Sequence, residues 1–190
     1  MLLALAQKTL KHCAMRSSSL LLVALVLLAS GRSASADAFG FPTNGPTVPG
    51  TRAVLRGNVA AAPAAAPIEV KRAIWAANQL RTKPYRYGGG HRSFRDSGYD
   101  CSGTVSYALG AAGLVKAPMP SSGFKKFGAR GAGKWITVYA RNGHTFAVIA
   151  ALRLDTTPSN TRRYDSSRAP RWQATPRLPL GFEARHPAGL

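Results

Sequence analysis

The chain has 190 residues, with 26 Lys and Arg against 7 Asp and Glu, for a formal net charge of +19. That length suits one domain with extensions. The basic residues are scattered and mostly arginine, which excludes a dedicated basic tail, and a cation of this strength is drawn to polyanions.

Residues 1–36 read as a signal peptide: Lys8, Lys11 and Arg16 precede an apolar run from Leu20 to Ala29, and Ala34-Ser35-Ala36 offers an A-x-A cleavage site. The run is ten residues long, short of the roughly 20 needed to span a bilayer. An uncleaved anchor and a start at Met15 are the alternatives. Cleavage near Ala36 implies a secreted or periplasmic protein with no stable membrane insertion. It leaves 22 basic against 7 acidic residues, a net charge of +15. Outside the cytoplasm the matching polyanions are anionic envelope polymers or lipid head groups, and a nucleic-acid partner is not expected. Cleavage also removes Cys13, so Cys101 becomes the sole cysteine and a candidate reactive thiol.

Residues 37–67 are rich in Pro, Ala and Gly without apolar periodicity and predict a linker; one or two strands within Thr51 to Val59 are the alternative. Residues 68–190 are assigned to one domain. Ile68 to Leu80 predicts a helix, with Val70, Ile74, Ala77 and Leu80 on its apolar face and Trp75 in the core. Pro84 closes it. Tyr85 and Tyr87 alternate into the glycines Gly88, Gly89 and Gly90, and a loop then runs to Asp100. From Cys101 to Ala112 apolar residues recur every three or four positions, a second helix stopped by Gly113.

Lys116 to Lys134 predicts a loop with a short helix near Gly123 to Phe127. Trp135 to Thr157 predicts strands: Ile136 to Ala140, a turn at Asn142-Gly143, a strand opened by His144, and a third ending at Asp155. Ser159 to Pro179 predicts an arginine-rich loop with Trp172 as an anchor. Gly181 to His186 predicts a final edge strand.

Asp100 suits the N-cap of the second helix, which sets Cys101 in the first turn. There the dipole and free N–H groups favour negative charge on sulfur. The competing role for such a cysteine is that of a small buried apolar residue. A cysteine nucleophile needs a base, usually histidine, and the imidazole needs an acceptor to fix its tautomer. His144 sits on rigid framework, and Asp155 follows eleven residues later on the strand that would pair with it. Cys101, His144 and Asp155 therefore form the candidate nucleophile, base and orienter. His186 is the runner-up orienter, and His91 is expected in a loop that lines the cleft.

The segment PYRYGGGHRSFRDSGYDCSGTVSYAL resembles the NlpC/P60 cysteine peptidases, with their proline-tyrosine and glycine-glycine approach to an Asp-Cys-Ser-Gly helix start. GHTFAVIAALRLDTT is similar to that family's histidine strand and the strand after it, so the resemblance covers about Ile68 to Thr157. It implies an α+β, papain-like fold with N-terminal helices packed on a small antiparallel sheet. It also implies cleavage of stem-peptide bonds in bacterial peptidoglycan by a thiol, with no metal or cofactor. Cys101 would be the nucleophile and His144 the base, while Asp100, Ser102 and Tyr87 would contact substrate. Gly133-Lys134-Trp135 departs from the family's Gly-Asp pair ahead of the histidine strand. A non-catalytic envelope-binding protein on the same fold, and an amidase or acyltransferase using the same thiol, are the alternative functions.

Overall fold

The computed structural model describes residues 39–157, 169–174 and 176–190; the expected signal segment and most of the loop from Ser159 lie outside these. The described residues form an α+β domain. Two short strands, β1 (Thr47–Val48) and β2 (Val54–Arg56), flank β3 (Val59–Pro63), parallel and antiparallel respectively. Helix α1 (Ile68–Ala77) runs on into a 3-10 turn, Asn78–Thr82. Helix α2 (Cys101–Ala111) and a single turn, α3 (Ser121–Phe124), precede six strands. These are β4 (Ala129–Arg130), β5 (Ile136–Arg141), β6 (His144–Ile149), β7 (Leu152–Asp155), β8 (Arg171–Gln173) and β9 (Glu183–His186). They form one antiparallel sheet in the order β4-β9-β5-β6-β7-β8.

The alternation of the strands decides which face is buried. Ile136, Val138 and Ala140 on β5, Ala147 and Ile149 on β6, and Leu152 and Leu154 on β7 enter one core with Val70, Ala73 and Ile74 of α1 and Val105, Ala108 and Leu109 of α2. Burying each of the Val, Leu and Ile side chains among these contributes roughly 1.5–3 kcal/mol. Helix α2 is thus held against β6 and β7, the strands that carry His144 and Asp155.

The expected linker is corrected from Phe39 onward. Ala60, Ala61 and Ala62 are fully buried, and Phe41 packs edge-on against Phe94 and Tyr107. The Asn78 side chain receives Ala60 N–H and donates to Ala60 O, both at 2.9 Å, like an added strand residue. Its Oδ1 also accepts from Trp172 Nε1 at 3.0 Å. One buried amide thereby ties the N-terminal sheet, the end of α1 and β8 together. Small residues such as alanine pack a strand closely without the apolar periodicity that marks larger side chains, so the segment reads as low-complexity.

Two further expectations change. Trp172 is an anchor, but within a strand, β8, rather than a loop. The final strand, β9, is not at the edge: it pairs with β5 on one side and with two-residue β4 on the other.

Candidate active site

Helix α2 begins where expected. Asp100 Oδ1 accepts from Gly103 N–H at 2.8 Å, an N-cap that satisfies one of the free donors of the first turn. Cys101 follows as the first helical residue, buried and with a free thiol.

His144 and Asp155 meet because of the β6–β7 register. Ala147 faces Leu154, and the ladder continued by one residue sets Phe146 opposite Asp155. His144 is then the diagonal neighbour of Asp155 on the same face, a pairing long side chains can bridge. His144 Nε2 lies 3.1 Å from Asp155 Oδ1, and Thr157 Oγ1 lies 3.1 Å from the same nitrogen. Occupation of Nε2 leaves Nδ1 as the nitrogen available to the Cys101 thiol. Burial alone would pull the imidazolium down, but hydrogen bonds to Asp155 and Cys101 and their charges outweigh it and push His144 up to about 9. Burial also works against the Asp155 carboxylate, whose side chain is fully covered. Hydrogen bonds from His144 and Thr157 N–H and the charges of His144 and Arg177 hold its carboxyl below the usual range all the same.

The carboxylate has further partners that no sequence motif announces. Arg177 Nη1 donates to Asp155 Oδ2 at 3.1 Å, and Arg153 Nη1 lies 3.5 Å from the same oxygen. Arg153 is itself held by Gln173 of β8. The Arg177 guanidinium packs on the rings of Phe146 and Phe182, 5.3 Å from each centroid, and Phe182 meets the His144 ring edge-on at 6.0 Å.

The residues flanking Cys101 form a second cluster. Asp100 Oδ2 accepts from Gly88 N–H at 3.1 Å, and Ser102 Oγ donates to Asp100 Oδ1 at 3.0 Å. His91 Nε2 lies 2.8 Å from Asp100 Oδ2 and 2.9 Å from Ser102 Oγ. With the serine proton given to Asp100, the hydrogen on His91 Nε2 is the one that donates to these oxygens. His91 lies in the loop, where it bridges both neighbours of Cys101 while its side chain stays 37% exposed. Tyr87 is almost fully exposed on the approach to the glycines. His186 is not brought to His144; its Nδ1 bonds Gly131 O at 3.1 Å on the far strands of the sheet.

The arrangement therefore supplies a thiol at a helix start, an imidazole whose far nitrogen is fixed by a buried carboxylate, and polar groups on either side of the thiol. No family model matches the chain, and no curated protein or solved structure matches it. Fold class and site geometry are what these residues themselves define.

Proposed function

We propose that this chain is a cysteine peptidase of the NlpC/P60 type, papain-like in fold, that hydrolyses stem-peptide bonds of bacterial peptidoglycan. One observation carries the reading: His144 Nε2 is held by Asp155 at 3.1 Å while its proton affinity is raised by both Asp155 and Cys101. An imidazole so placed takes the thiol proton and returns it to the leaving amine. The thiolate attacks the scissile carbonyl, an acyl-enzyme forms, and water activated by His144 releases it. Backbone N–H groups at the start of α2, that of Cys101 among them, would stabilise the oxyanion.

The Asp100–Ser102–His91 cluster, built on the two neighbours of Cys101, would meet the substrate, and it presents hydrogen-bonding groups suited to the polar backbone and carboxylates of a stem peptide. The protein works outside the cytoplasm, exported by residues 1–36. Among the described residues no helix is long and apolar enough to cross a membrane. Its net positive charge holds it to anionic envelope polymers, an attraction that weakens with salt.

The test is digestion of purified peptidoglycan by the protein and by Cys101→Ala, with released fragments identified by mass spectrometry. New stem-peptide termini from the first and none from the second support the peptidase. Wall binding by both without fragments supports the envelope-binding alternative.

A further inference from the structure

The two oxygens of Asp155 are used differently. Oδ1 takes His144 Nε2 at 3.1 Å and Thr157 N–H at 2.9 Å. Oδ2 takes Arg177 Nη1 at 3.1 Å and faces Arg153 Nη1 at 3.5 Å. Arg177 reaches this position from the chain beyond β8, and its Nη1 also lies 3.5 Å from His144 Nε2. The guanidinium lies 5.3 Å from the ring centroids of both Phe146 and Phe182, which touch each other edge-on at 5.1 Å, so the two rings together form its apolar support.

We propose that Arg177 is a positioning residue that tunes the proton affinity of His144 by sharing the Asp155 carboxylate with it. A carboxylate bonded to His144 alone would hold the imidazolium strongly. A permanent cation on the second oxygen, close to the ring, works against the protonated form. Asp155 from β7 and Cys101 from α2 act on His144 directly, Arg177 lies 3.5 Å from its Nε2, and Arg153 faces the Asp155 carboxylate. Arg141, its partner across the β5–β6 turn, lies over the Phe182 ring, 4.7 Å from its centroid. Of the two guanidiniums on Asp155, Arg153 is tied to β8 through Gln173, whereas Arg177 alone touches both carboxylate and imidazole. Asp155 keeps the Thr157 N–H and Arg153 when Arg177 is removed, so the carboxylate stays in place and the loss of charge dominates.

This tuning matters for catalysis only if the peptidase reading holds, but the geometry behind it needs no substrate. The experiment is therefore a histidine titration by nitrogen-15 NMR on the whole protein, with the His144 signal assigned by its loss in His144→Gln. Arg177→Gln should move the His144 midpoint upward by about one pH unit, and Arg177→Lys, which keeps the charge, by much less. An unchanged or lowered midpoint in Arg177→Gln would overturn the proposal. So would equal shifts in both variants, or loss of fold in both, which would assign Arg177 to stability alone. Peptidoglycan digestion by the unsubstituted protein is scored separately; its failure would remove the peptidase and leave the titration result standing.

Discussion

Gly103, in the first turn of α2, lies flat against the carbonyl of Gly89: a β-carbon on Gly103 would overlap that oxygen. The same oxygen accepts Asp100 N–H at 3.2 Å. The glycine turn and helix α2 are therefore one unit, and Gly88 N–H completes it by donating to the Asp100 side chain. Gly89 is equally confined, since its own β-carbon would overlap the Gly98 carbonyl. Close backbone approach, rather than flexibility, explains both glycines. Gly103→Ala should lower stability by about 1–3 kcal/mol, the cost of overpacking a closed site. Urea denaturation measures it, and a midpoint equal to that of the unsubstituted protein would contradict the packing argument.

His91 bridges Asp100 and Ser102. His91→Ala should raise KM for a stem peptide several-fold and change kcat by less than about twofold, the pattern of a group that binds ground and transition states alike. Steady-state kinetics on a defined peptide decides it. A fall in kcat with unchanged KM would instead place His91 in the chemical step.

Asp155 is covered completely and faces two guanidiniums besides His144. Asp155→Ala leaves those cations without their carboxylate and should cost about 3 kcal/mol of stability. Asp155→Asn retains an acceptor for His144 and should cost less in stability, while still slowing turnover at least tenfold. Thermal unfolding and turnover of the two variants, measured side by side, check both halves.

The stability of the fold should depend on pH through the same pair. His144 is raised from 6.5 to about 9 in the folded state. Its contribution is full below about pH 6.5 and is lost as pH rises through 9. Asp155 is held below its ordinary 3.8, so its contribution is full above that value and is lost as pH falls below it. Melting temperature should be highest between these limits. His144→Gln should flatten the alkaline fall, which a series of melts from pH 3 to 10 would show.

Much of the frame is legible because its signals are local. Asp100 as N-cap, the apolar spacing of α2 and the Asn142-Gly143 turn before His144 each depend on a few neighbouring residues, and Gly143 does adopt a left-handed φ of +81°. The pairing that sets His144 beside Asp155 follows from two adjacent strands. What escapes sequence reading is non-local or lacks a distinctive residue. The next turn uses Ala150 and Ala151 at φ of +46° and +74°, where no glycine or asparagine marks it. The β1–β3 sheet is hidden in alanine and proline. Arg177 is one arginine among many, and only the return of the chain after β8 brings it 3.1 Å from Asp155. His91 is legible as a histidine beside glycines, but its bond to Asp100 requires the loop between them to fold back.

In the proposed mechanism His144 activates the Cys101 thiol. The rate at which iodoacetamide alkylates Cys101 near pH 6, followed by peptide mass spectrometry in the unsubstituted protein and in His144→Ala, tests this without a substrate. Alkylation at least tenfold faster with His144 present is the predicted result. Equal rates in the two proteins would contradict the claim and leave Cys101 as a buried structural thiol.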